Sequence, residues 1–174
     1  MRIFIIGGKA EVGKNHLAKM IKEYYQEKGK KTIITEYSKY IKLFAMEMLH
    51  WHGEREDKPR KFLQDMGENI RLTLGQDVLI KRMMQDILIY QKYCDVLVIC
   101  DARLIAEYEL IKDKYNDVHT IYLYSDIPNE LTISERQHPT EHALDNYQKV
   151  DYRLDGTDLN GLNIEIIKIL EELK

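Results

Sequence analysis

Short apolar runs that end at glycine or charge alternate along this chain with longer segments whose apolar residues recur every three or four positions. The first kind predicts buried strands, the second amphipathic helices. Arg2–Ile6 (RIFII) is β-branched and aromatic and stops at Gly7-Gly8, so it predicts a fully buried strand. From Lys14 to about Lys28, Leu17, Met20, Ile21 and Tyr24 share one helical face, and Gly29 ends the pattern. KTIITEY (31–37) predicts a second strand. Ser38 can cap a helix whose apolar face carries Ile41, Phe44, Ala45, Met48 and Leu49. After the charged break HGEREDK, Pro59 opens a helix that runs to about Leu74 and stops at Gly75. A further helix covers Asp77 to about Gln91.

DVLVIC predicts another buried strand, ending at Asp101, and a helix follows from about Leu104 to Tyr115. VHTIYLY is a fourth strand. Residues 125–144 are irregular or short-helical, interrupted by Pro128 and Pro139, and YRL (152–154) can form a short fifth strand. A last helix is capped near Thr157 or Asp158. Strands alternating with helices predict an α/β fold with a mainly parallel sheet between helical layers. No flexible linker divides residues 1–174, which reads as a single domain. Within it, the helical block 38–91 is a candidate acceptor-binding insertion, and 125–144 a candidate lid.

Composition narrows the partners. The net charge of -3 provides no global basic field for nucleic acid. Cys94 and Cys100 make no metal-ligand pair, and two thiols in a chain of this size predict a reducing compartment. The apolar run Ile3–Ile6 is too short for a signal-peptide core, and no stretch approaches the roughly 20 apolar residues that span a membrane. The expectation is a cytoplasmic protein without a membrane or nucleic-acid partner. A homodimer is kept as an open assembly state.

The chemistry begins in GGKAEVGKNH. Gly8, then four residues, then Gly13-Lys14 match most of a phosphate-loop pattern, placed between a buried strand and a helix as the mechanism demands. Backbone N–H groups from Gly8 through Lys9, Ala10, Glu11, Val12, Gly13, Lys14, Asn15 and His16 would cradle phosphate, assisted by the helix dipole. Lys14 would supply a mobile charge for the terminal phosphates. The pattern's usual Ser or Thr is replaced by Asn15, whose amide oxygen is a neutral ligand for a hard cation. A magnesium ion would then lean on water and on Asp101, which ends the apolar strand. The plainer alternative is that Asp101 caps the next helix.

A second substrate needs its own site. In KPRKFLQDMGENIRLTLG, Gln64, Gly67 and Arg71 form a narrow stripe at the edge of an apolar face made by Phe62, Leu63, Met66, Ile70 and Leu74. A helical glycine costs about 1 kcal/mol relative to alanine, so Gly67 suggests close approach of a neighbour. Arg103 follows Asp101 at the carboxyl end of a strand, where ligands bind in open sheets; Glu107, one turn on, could simply pair with it. Arg136, His138, Glu141 and His142 fall in the candidate lid. The two histidines make a poor zinc pair because Pro139 interrupts the helix between them.

In order, GGKAEVGKN, YSKYIK (ending at Lys42), KFLQDMGENIR, ICDARLIAE and HPTEHALDNYQKVDYRLDG resemble the motifs of phage-type deoxynucleoside monophosphate kinases. These belong to the P-loop nucleoside monophosphate kinase group, which also includes dephospho-coenzyme A kinase. The resemblance implies a three-layer P-loop NTPase fold, with a five-stranded parallel sheet in the order 2-3-1-4-5 and a helical insertion after strand 2. It implies ATP and Mg2+ as cofactors, and transfer of the γ-phosphoryl group to a small-molecule nucleotide acceptor. Lys14 would bind donor phosphates, Lys42 and Gln64 would line the acceptor side, Arg71 and Arg103 would take the acceptor phosphate, and Arg136 would be a lid arginine. Lys14, Asp101 and Arg136 are then the catalytic set, with Asn15 and Asp101 on the metal. The family's Asp-Thr after the loop lysine is Asn15-His16 here. Animal-type phosphomevalonate kinases share the motif order. A kinase acting on a nucleoside hydroxyl would need a base, for which Glu36 is placed, and a nucleotide-binding protein with a lapsed site is the non-enzymatic alternative.

Overall fold

The computed structural model describes residues 1–54, 56–128 and 131–173. Five strands, β1 (Arg2–Gly7), β2 (Thr32–Thr35), β3 (Val96–Ala102), β4 (Val118–Tyr124) and β5 (Tyr152–Asp155), form one sheet in the order β2-β3-β1-β4-β5. Every neighbouring pair is parallel. Helices α1 (Lys14–Glu27), α2 (Lys39–Leu49), α3 (Arg60–Leu74), α4 (Val78–Tyr90), α5 (Ile105–Lys114), α6 (Ile133–Arg136) and α7 (Leu159–Glu172) surround it, with a 3-10 turn at Pro139–Glu141.

The pleat of β1 explains why its sequence is apolar from Ile3 to Ile6. Phe4 and Ile6 point into a core shared with α1 and α7, while Ile3 and Ile5 point into a second core beneath α4 and α5. The carboxyl ends of β1, β2 and β3 converge on one edge, and Gly7 pairs with Ala102 after a register shift. That edge carries the site.

Three expectations are corrected. β2 stops at Thr35 because the N–H groups of Tyr37 and Ser38 leave the ladder for the Asp101 carboxylate, at 2.7 and 3.0 Å. On α2 only Ile41 and Ala45 are buried, whereas Phe44, Met48 and Leu49 are exposed; α2 rests on α3 along a narrow line, too narrow for a full apolar face. On α3 the apolar stripe is only half covered, Leu74 is exposed, and Gly67 is the helix's one buried residue. Among the described residues no helix is long and apolar enough to cross a membrane.

Candidate active site

The loop after β1 turns through Gly8 (φ 139°), Glu11 (φ 66°) and Gly13 (φ 95°) into α1. Gly13 stands at the N-cap and offers no side chain to the first-turn N–H groups. Those donors therefore face the cleft with the positive end of the helix dipole behind them. The Lys14 side chain folds back over the loop. It is buried, and its Nζ donates to Gly8 O at 2.9 Å and to Lys9 O. Burial, followed by the nearby Arg103 charge, holds this ammonium well below the usual lysine range. An incoming polyanion would relieve both causes.

One cleft of about 410 Å3 opens from the loop. The predicted residues Lys14, Asn15, Lys42, Gln64, Arg71, Asp101 and Arg103 all line it, as do Ala10, Glu11, Gly13 and His16. Gly8, Lys9 and Val12 lie off its wall: Val12 belongs to the core, and Lys9 reaches Asp145 at 3.1 Å. Arg136 is exposed at the end of α6 and lies outside the cleft; its carbonyl accepts a hydrogen bond from His142 Nε2 at 2.9 Å.

Long-range ion pairs arrange the charges. Glu36 holds Lys42. Glu11 of the loop holds Arg60. Glu141, brought in by the 3-10 turn, holds Arg103 at 2.8 Å and accepts the Ala10 N–H at 2.8 Å. Lys58 and Arg71 line the same cleft and make no hydrogen bond or ion pair among the described residues. Burial, then Lys42 and Arg60 beside it, pushes the Lys58 amine below its ordinary value. Gly67 leaves room for this arrangement, since a Cβ there would sit 3.3 Å from Ile41 Cδ1 and 3.6 Å from Arg71 Nη1.

Sequence reading missed Lys58, Arg60, Ser38 and the inward Glu141. The only local hint was KPR at the start of α3, because the partners lie far away in the chain. Two alternatives are resolved. Glu107 does not pair with the Arg103 guanidinium; its buried carboxylate accepts the backbone N–H groups of Arg103 and Leu104, and burial raises its pKa to about 7. Nor does Asp101 cap α5. Its oxygens accept from Tyr37 N, Ser38 N and Ser38 Oγ (2.6 Å), which fixes the carboxylate at the cleft and braces the entry to α2.

Among the described residues no three His, Cys, Asp or Glu side chains assemble as a cation cage. What the cleft offers is Asn15, close to Cys100 (Sγ to Oδ1 3.5 Å), and the braced Asp101. Two oxygen-bearing side chains suit a magnesium ion that keeps waters and is held chiefly by substrate phosphates.

No family model and no curated protein matches the chain. Solved structures do. A shikimate kinase from Bacteroides thetaiotaomicron superposes with a TM-score of 0.54 at 14% identity, over 99% of this chain and 98% of the other. A sugar kinase from Janibacter sp. HTCC2649 gives 0.53 at 11%, over 98% and 95%. The APS kinase of Mycobacterium tuberculosis in complex with AMPPNP and APS gives 0.52 at 14%, over 98% and 97%. The chain has a P-loop kinase fold. In this fold the turn Gly8–Lys14 connects β1 to α1.

Proposed function

We propose that this P-loop kinase fold transfers the ATP γ-phosphoryl group to a (deoxy)nucleoside monophosphate. The observation that carries the reading is the pair Lys58 and Arg71. Each lines the cleft beside the glycine-rich loop and makes no hydrogen bond or ion pair among the described residues. A partly desolvated cation without a close counter-charge is costly unless an anion completes it. Lys14 serves the donor phosphates, so a second cationic group on α3 and the loop before it calls for a second anion. An acceptor that is already a phosphate supplies that charge and needs no general base; positioning and charge neutralisation suffice.

The residues divide the work. The loop N–H groups and Lys14 hold the donor phosphates. Arg71, Lys58 and Arg103 hold the acceptor phosphate, with Lys42 and Gln64 beside it. When bound, magnesium would lie by Asn15 and Asp101 and would neutralise charge on the donor oxygens. Arg136 acts on closure of the lid: Arg136→Ala is expected to lower kcat tenfold or more while changing either KM less than threefold. A kcat within twofold of wild type would make Arg136 a surface residue.

A kinase acting on a hydroxyl is the second reading, because Glu36 faces the cleft and could take a proton. The neighbours named for shikimate, a sugar and APS support a small acceptor in general. A coupled ADP-release screen with Mg-ATP decides between them. It should cover all nucleoside and deoxynucleoside monophosphates, with nucleosides, phosphomevalonate, dephospho-coenzyme A, shikimate and APS as comparators. Turnover with nucleoside monophosphates is expected. Turnover only with unphosphorylated acceptors, lost in Glu36→Gln and kept in Arg71→Ala, overturns the proposal.

A further inference from the structure

The 3-10 turn Pro139–Glu141 places a carboxylate between the two halves of the cleft. Glu141 is 7% exposed, so this contact is built into the packing. One oxygen accepts the Ala10 N–H of the donor loop and the other the Arg103 guanidinium, each at 2.8 Å. The buried Lys14 ammonium also feels it, since the Glu141 charge favours the protonated form. A backbone N–H, a guanidinium and an ammonium are the donors that a phosphate group takes in a phosphate loop. The turn is held in place: Thr140 N and Oγ1 both reach His138 Nδ1, and Leu131, Leu144 and Tyr147 are buried on either side.

Resting on the function proposed above, we infer that Glu141 is an internal substitute anion, which occupies the phosphate cradle and Arg103 until substrate phosphates displace it. A carboxylate carries one charge on two oxygens, whereas a polyphosphate brings several charges and more acceptor oxygens to the same donors. The two anions repel in a partly desolvated cleft, so they do not share it. Displacement has a second effect. Arg103 becomes available to the acceptor only after Glu141 leaves, so donor phosphates strengthen acceptor binding and, reciprocally, the acceptor strengthens donor binding. Arg136 sits on the same segment, so the movement that withdraws Glu141 also repositions that arginine.

Inorganic tripolyphosphate, titrated calorimetrically, is the probe. Glu141→Gln keeps an oxygen for the Ala10 N–H and removes the charge, and it is expected to bind tripolyphosphate about tenfold more tightly than wild type. Glu141→Asp keeps the charge but is too short to reach both partners, and should fall between. Should neither variant fold, trypsin cleavage after Arg136 in the wild-type protein decides. Saturating tripolyphosphate is expected to speed it severalfold as the segment lifts. Equal or weaker binding by Glu141→Gln, or unchanged or slower cleavage where cleavage decides, overturns the inference and leaves the phosphate loop intact. Absence of tripolyphosphate binding to wild type removes the phosphate-loop reading together with it.

Discussion

Lys14→Ala is expected to lower phosphoryl transfer by about 10²–10³, the range measured for removing one preorganised donor from a charge-stabilising site. The side chain is buried, and among the described residues Gly8 O and Lys9 O accept from it. Burial and Arg103 already disfavour its charge. That destabilised charge is available to the donor phosphates, whose arrival is the event that completes it, so the loss should appear in turnover and in ATP affinity together. Folding should suffer little. The alanine variant gives up a desolvated ammonium and leaves two loop carbonyls close to the open cleft. Thermal melts with and without Mg-ATP separate the two effects. The variant should melt within a few degrees of wild type and lose the nucleotide-induced shift. A folded Lys14→Ala protein with wild-type turnover would reject the donor site.

Gly8→Ala should act on stability instead. The residue has φ 139°, and a Cβ would sit 2.1 Å from Leu123 O and 3.2 Å from Val12 Cγ2. Leu123 belongs to the interior of β4, so its carbonyl cannot move aside without breaking the sheet that β1 and β4 share. Left-handed strain and overpacking together should cost roughly 3 kcal/mol or more. Gly13→Ala is the control. At φ 95° it carries the conformational strain, yet its Cβ would meet only Leu123 Cδ2 at 3.8 Å. A loss of about 1–2 kcal/mol is expected there. Urea denaturation of both variants tests the contrast, and equal stability would show that β4 yields to the added methyl group.

Much of this molecule is legible in its sequence because the signals are local. Ile3–Ile6, Val96–Cys100 and Ile121–Leu123 are apolar at successive positions, as strands covered on both faces must be, and each lies in a strand. The glycine spacing before α1 describes a turn whose positive φ angles at Gly8 and Gly13 are set locally. Gly67 reported a close approach, and its neighbours are Ile41 and Arg71. Local pattern was a poorer guide on α2, where Phe44, Met48 and Leu49 have helical spacing but no facing element wide enough to cover them.

What only the tertiary structure decided is which charge meets which. Glu141 lies 131 positions from Ala10, Asp101 lies 64 from Tyr37, and Arg60 lies 49 from Glu11. Periodicity places each residue on an element and cannot tell which distant element supplies its partner, because that depends on strand order and on how the helical block folds back over the sheet edge. The sequence therefore determined the sheet, the loop and its lysine. The tertiary structure decided that Asp101 braces α2, that Lys58 and Arg71 line the cleft with no hydrogen bond or ion pair among the described residues, and that a glutamate from late in the chain sits against the glycine-rich loop. The physical reason is one of range: backbone conformation follows from neighbours a few residues away, whereas the field in a cleft is the sum of charges that the fold brings together.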